Sequence, residues 1–224
     1  MASIAQLVSE IAHSVKQPDS IPVRRAIKLG IIHARNEIIR HSYSNHNYTD
    51  KVLQQRFRLT LTDVPDGDLA DSQNVVKDRV KRTTNKVPRP TRLINNLPFH
   101  SVRTAGMRNP VEIAFVKEAS AKYYSQLPGM CPVITYDYIN EYIYIFPPKS
   151  KDFAQNAIII ESAFEHPNEI SLLNGTLKEE DVWLDENEYL LSEDMIGQIK
   201  DIIYKRDLLN NPRETDEIPK TIKF

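Results

Sequence analysis

Apolar positions recur at spacings of three and four along residues 4–38, and the period then changes to two. Ile4, Leu7, Val8, Ile11 and Val15 form one stripe, the pattern of an amphipathic helix, and Pro18 predicts its end. Ser20 suits the N-cap of a second helix, with Pro22 in the first turn, where a missing N–H leaves no bond unmade. That helix is expected to bury Val23, Ile27, Ile31, Ala34 and Ile38 and to carry Arg24, Arg25, Lys28, Arg35 and Arg40 on its other faces. It should stop within HSYSNHNYTD, a cluster of turn formers at 41–50. From Gln55 the alternation of Phe57, Leu59 and Leu61 with Arg56, Arg58, Thr60 and Thr62 predicts a half-buried strand.

Beyond this strand the pattern breaks into shorter pieces. DGDLADSQN (66–74) reads as a loop, and residues 75–110 as short strands and long extended connections. Val111 to Val116 can begin a strand, and KEASAKYYSQ (117–126) favours a short helix. ITYDYINEYIYIFPP (134–148) predicts a tyrosine-rich hairpin, with Tyr136, Tyr138, Tyr142, Tyr144 and Phe146 as its packing residues. NAIIIESAF (156–164) is a short apolar strand, followed by an acidic, loop-rich return. A last helix starts after Ser192, with Glu193 and Asp194 placed where the helix dipole favours acids, and it should bury Met195, Ile196, Ile199, Ile203 and Leu208. The fold class is therefore α+β: N-terminal helices and a C-terminal helix packed on a small antiparallel sheet that includes the hairpin, joined by long extended loops. Residues 1–209 are expected to form one domain and 210–224 an extended arm.

Composition changes this picture little. The 224 residues are 41% hydrophobic and 26% charged, with a formal net charge of −1, which excludes a globally basic nucleic-acid binder. The single cysteine, Cys131, has no partner for a disulfide or a thiolate cluster. No apolar run reaches the length of a membrane span, and the first residues lack the basic and apolar regions of a signal peptide. Fourteen prolines against six glycines point to stiff, extended connections.

Patterns that would carry catalysis are incomplete. His33 and Glu37 have the spacing of two metal ligands on one helix face, but no third ligand is near them in sequence. His41 and His46 flank a turn. Ser162, Glu165 and His166 lack the glycine elbow that exposes a nucleophile, and Glu161, Glu165 and Glu169 belong to a longer acidic run. There is no glycine-rich phosphate loop. No catalytic, cofactor-binding or metal-ligating residue is assigned.

Charge distribution is the feature above background. Lys77, Arg79, Lys81, Arg82, Lys86, Arg89, Arg92, Arg103 and Arg108 face one acid, Asp78. Later, Glu161, Glu165, Glu169, Glu179, Glu180, Asp181, Asp185, Glu186, Glu188, Glu193 and Asp194 face one base, Lys178. The two blocks can meet within one fold or stay solvated. They can also join head to tail between copies, or the basic block can bind duplex phosphates. Candidate interface residues are Lys77, Arg79, Lys81, Arg82, Lys86, Arg89 and Arg92 on one side and Glu179, Glu180, Asp181, Asp185 and Glu186 on the other.

Three segments in fixed order, NNLPFHSV with NPVEIAFV, ITYDYINEYIYIF, and IIIESAFEHPNEI ahead of a C-terminal helix, resemble structural proteins of crAss-like tailed bacteriophages. The matching pieces are Tyr138-Ile139-Asn140, Tyr142 to Ile145, and Phe164 with Pro167 and Glu169, within residues 95–209. The resemblance implies a head-to-tail connector protein, similar also to adaptors of short-tailed phages. Such a protein would form a ring, of twelve copies in that family, under the portal. It would extend the DNA channel and dock the next tail part. The implied partners are other copies of itself, the portal, adjacent ring and tail proteins and the genomic DNA passing through, with no membrane and no cofactor. Its implied location is the virion, after synthesis in the host cytoplasm. A hub or fibre adaptor elsewhere in the tail, or a DNA-binding protein using residues 77–108, are the alternatives. One position departs from the family pattern. Glu141 stands where such hairpins carry glycine after asparagine, so the turn is expected to change type or length.

Overall fold

Ser3 opens the first helix, α1 (Ile4–Ser14). Its hydroxyl accepts from the Gln6 amide, and the Gln6 side chain accepts from the Ser3 amide, each at 3.2 Å, so two otherwise orphaned donors are satisfied together. At the other end Lys16 sits at φ 62°, with the Lys16 amide on His13 O at 3.0 Å and the Gln17 amide on Ala12 O at 3.1 Å. This is a Schellman termination carried by lysine where glycine is usual.

In this computed structural model the described residues are 3–46, 50–64, 80–93, 97–106, 110–116, 133–147, 153–173 and 185–210, with side chains to Lys205. The chain splits into two compact units: Met1–Glu37 with Asp185–Phe224, and Ile38–Leu184. The expected loop at 66–74, the helix at 117–126, Cys131, the Leu208 side chain and arm residues 211–224 lie outside the described residues.

The first unit joins α1, the early part of α2 (Ile21–His46), the return through Leu191 and α4 (Glu193–Asn210). Ile4, Leu7, Val8 and Ile11 of α1, Ile27, Ile31 and Ala34 of α2, and Met195, Ile199 and Ile203 of α4 are buried, as their spacing requires. Val23 of α2 and Ile196 of α4, expected to be buried, are half-buried, and two further features of α2 differ from expectation. Ile39 is buried where Ile38 was expected, and Arg35 is fully buried although its position follows the charged pattern. The guanidinium is held there by Leu190 O, 3.0 Å from Nε, by Asn36 Oδ1, 3.2 Å from Nη1, and by the Tyr189 ring, 5.5 Å away. Burial lowers its pKa, and Tyr189 acts in the opposite sense. Glu10–Lys200 at 2.7 Å and Lys28–Asp185 add ion pairs at the surface of the same unit.

The second unit is built on a sheet of β1 (Gln55–Asp63), β2 (Lys81–Thr83), β3 (Ser101–Thr104), β4 (Ala114–Phe115), β5 (Thr135–Ile139), β6 (Tyr142–Phe146) and β7 (Ala157–Ser162). Their spatial order is β3-β7-β1-β2-β6-β5-β4. Every pairing is antiparallel except β4 with β5. A short helix, α3 (Asn168–Leu173), occupies part of the stretch expected to be loop. Six residues give too little periodicity to register as a helix, and its Ile170 is buried against the sheet core.

Register decides which face each side chain joins. Phe57 pairs with Ile160, Leu59 with Ile158, Val102 with Ile160, Tyr136 with Ile145 and Tyr138 with Ile143, so these residues share one face. With Phe99, Phe153, Phe164 and Ile170 they form the core. Phe99 is the centre of its aromatic part, with ring centroids 5.2 Å from Tyr138, 6.2 Å from Tyr136 and 6.3 Å from Phe164. Each such buried ring contributes about 1.5–3 kcal/mol. The opposite face begins at β3 and β7 with Arg103, Ile159 and Glu161, continues through Arg56, Arg58, Thr60 and Thr62 of β1, and reaches Tyr142, Tyr144 and Phe146 of β6.

Candidate assembly surfaces

The hairpin is closed by two residues in the left-handed region, Asn140 at φ 52° and Glu141 at φ 68°, with Ile139 paired to Tyr142. This corrects the expected change of turn length: the two-residue loop is kept, and glutamate occupies a conformation suited to glycine. Its surroundings hold it there. The Glu141 carboxylate accepts from Lys86 Nζ at 3.1 Å and from Arg89 Nε at 3.3 Å, while the Val87 amide donates to Glu141 O at 2.7 Å. Tyr138 donates its hydroxyl to Val87 O at 3.0 Å. The hydrogen bond from Lys86 holds the Glu141 carboxyl below its usual range, with Arg89 adding to it against a smaller effect of desolvation. Burial pushes the Tyr138 phenol up to about 12.

The five packing residues of the hairpin divide between two faces. Tyr136 and Tyr138 belong to the core face, and Tyr142, Tyr144 and Phe146 to the other. Tyr144 is buried there as completely as Tyr136 is on the core side, while Tyr142 and Phe146 are half-buried.

The basic segment is largely bound up within its own unit. Lys81 Nζ donates to Asn156 Oδ1 at 2.9 Å and to Gln155 O at 3.3 Å. The Arg82 guanidinium lies 4.4 Å from the centroid of the Tyr142 ring, a cation–π contact. Lys86 and Arg89 share Glu141, and Arg92 is exposed. Lys77 and Arg79 fall outside the described residues, as do Glu179, Glu180 and Asp181. Asp185 pairs with Lys28, and Glu186 is exposed.

Arg56 and Arg58 were legible as the polar side of an alternating strand, but not as part of a basic patch. Their register brings Arg103 onto the same face: Arg103 and Arg58 flank Ile159, and Arg56 lies opposite Glu161. Arg56 and Arg58 are exposed, Arg103 is half-buried, and its Nε donates to Ser101 Oγ at 2.8 Å.

Residues weighed for catalysis do not converge. Ser162 is buried, with its hydroxyl 3.4 Å from Ala163 O, while His33, Glu37 and His41 are exposed. Among the described residues no three His, Cys, Asp or Glu side chains form a metal-binding group, and no helix is long and apolar enough to cross a membrane.

A family model described as phage tail ring protein 2 matches residues 6–222 of the chain. No curated protein matches it.

Proposed function

The chain belongs to the phage tail ring protein 2 family of crAss-like phages, and from that premise we propose that it builds one ring of the portal–tail connector. The family makes it a structural component of the phage tail, and so of the virion. The finer reading is a homo-oligomeric ring, of twelve copies, that extends the DNA channel below the portal and docks the next tail part. It works by symmetric association and performs no reaction. Its neighbours are other copies of itself, the portal and the adjacent ring proteins, with genomic DNA passing through the opening.

The observation that carries this reading is the family match along nearly the whole chain. It is supported by the separation of a basic block from an acidic one. A ring of more than two copies needs two different surfaces on each copy, one complementary to the other, whereas a two-fold dimer uses one surface twice. Opposed charge blocks supply such a pair, with Lys77 to Arg92 as the basic half and Glu179 to Glu186 as the acidic half.

Cryo-electron microscopy of virions tests the placement directly. The chain should be found as a closed ring between portal and tail. Native mass spectrometry of the isolated connector, read against the 25.8 kDa chain, should give a whole copy number. Density for this chain only at the distal tail or in fibres would overturn the connector reading.

A further inference from the structure

The described cations of the second unit divide into those with acceptors in their own unit and those without. Lys86 and Arg89 are on Glu141, Lys81 is on Asn156, and Arg82 is over Tyr142. A side chain already engaged must give up its contact to make a new one. The Arg56 and Arg58 side chains are exposed and make no hydrogen bond or ion pair among the described residues. Among the described residues the Arg103 side chain makes one hydrogen bond, to the neutral Ser101 hydroxyl, and no ion pair.

These three arginines lie together. Arg58 and Arg103 flank Ile159 from the two neighbouring strands, which sets their Cα atoms about 10 Å apart. Arg56 is two residues from Arg58 on the same face, opposite Glu161, and Arg103 lies opposite Glu112. On this side of the sheet β1 is open along its length, and Thr60 and Thr62 are also exposed.

The acidic block divides in the same way. Asp185 is paired with Lys28. The Glu186, Glu188, Glu193 and Asp194 side chains are exposed and make no hydrogen bond or ion pair among the described residues.

We propose that the open sheet face around Arg56, Arg58 and Arg103 is the docking surface for a second copy of this chain, taken by its exposed acids Glu186, Glu188, Glu193 and Asp194. The proposal rests on the ring reading above and names the two complementary surfaces that reading requires. It also moves the basic half of the contact away from the consecutive segment 77–92 to residues that only the sheet register brings together.

The test uses the full chain in sedimentation equilibrium at low salt over a wide concentration range. The wild type should self-associate, and association should weaken as salt rises, since exposed charges are screened within about 10 Å at 0.1 M. Arg56→Glu with Arg58→Glu should lower the association constant by about tenfold or more, and so should Glu186→Lys with Glu188→Lys. All four positions are exposed, so each variant should keep the wild-type circular dichroism, with the melting temperature of Arg56→Glu with Arg58→Glu lowered slightly because position 56 lies opposite Glu161. Each variant alone should associate that much more weakly, yet an equimolar mixture should recover the wild-type association, because every contact then joins opposite charges. Recovery on mixing also shows that neither variant had simply unfolded.

A wild type that stays monomeric overturns the proposal, as does association untouched by both variants. Loss of duplex-DNA binding in Arg56→Glu with Arg58→Glu, with self-association unchanged, would reassign the face to nucleic acid. The ring reading stands or falls separately, on where the chain is found in the virion.

Discussion

Replacing Glu141 by alanine removes two ion pairs from the hairpin, whereas replacing it by glycine removes the same pairs and relieves the backbone as well. The sizes can be worked from the structure. The carboxylate side chain is 34% exposed and its partners Lys86 and Arg89 are 64% and 72% exposed. Pairs this open contribute about 0.2–1 kcal/mol each, so the two together contribute roughly 1 kcal/mol. A residue with a Cβ at φ 68° is disfavoured by about 1–2 kcal/mol, and glycine escapes this but loses about 0.5–1 kcal/mol of chain entropy on folding. Glu141→Ala should therefore destabilise by about 1 kcal/mol, and Glu141→Gly by less than half of that. At 1 M salt, where the Debye length falls to about 3 Å, the ion pairs fade and the glycine variant should equal or exceed the wild type.

Urea unfolding gives the global values, and hydrogen exchange at the Val87 amide, bonded to Glu141 O, reports the local opening. The pH dependence has a fixed sign. The Glu141 carboxyl has a lowered pKa in the folded chain. Its contribution is thus complete above the unfolded carboxylate range near about 4.3 and is lost as the pH falls through the folded value. A glycine variant less stable than the alanine variant, or an alanine variant equal to wild type at low salt, would refute this account of the turn.

Arg35→Ala should destabilise the first unit by about 3 kcal/mol, because charged hydrogen bonds and buried volume are lost together, while Arg35→Met keeps the volume and should lose about half as much. Thermal unfolding followed by circular dichroism distinguishes the two. Tyr138→Phe removes one hydroxyl bond to Val87 O and should cost about 1 kcal/mol in urea unfolding. It should also remove a tyrosine titrating at about 12 from the ultraviolet absorbance. Glu169 is the reverse case to Glu141: burial raises its pKa, so the folded chain holds the proton more tightly and stability falls as pH rises through that range. Glu169→Gln should flatten this part of the stability–pH curve, and an unchanged slope would show that Glu169 does not set it.

The parts of the fold legible in the sequence were those determined by neighbours in the chain. The α1 stripe, the alternation of β1 and the start of α4 after Ser192 needed only periodicity and end signals. What was not legible depended on residues far away along the chain. Arg35 reads as surface because the carbonyl that receives it belongs to Leu190, 155 positions on. Glu141 reads as a misfit in its turn because the cations that hold it are 55 and 52 positions earlier. In both places a local rule was broken and a distant polar contact compensates.

Charge is subject to the same distinction, and here it bears on assembly. A basic block counted along the chain treats Lys86 and Arg103 as equivalent, although one is bound to a carboxylate and the other only to a hydroxyl. Two surfaces approaching through solvent respond to the uncompensated charge, because an ion and its bound counter-ion present a dipole whose field fades faster with distance. Glu141 therefore has two effects: it fastens the segment 86–89 to the hairpin, and it offsets one of that segment's two positive charges. In the proposed contact the basic side is Arg56, Arg58 and Arg103, held at defined spacing by strand register. Rigid placement favours a recurring contact. In a head-to-tail ring each junction must repeat the same rotation for the circle to close, and charges fixed on a sheet specify that rotation better than charges on an extended segment.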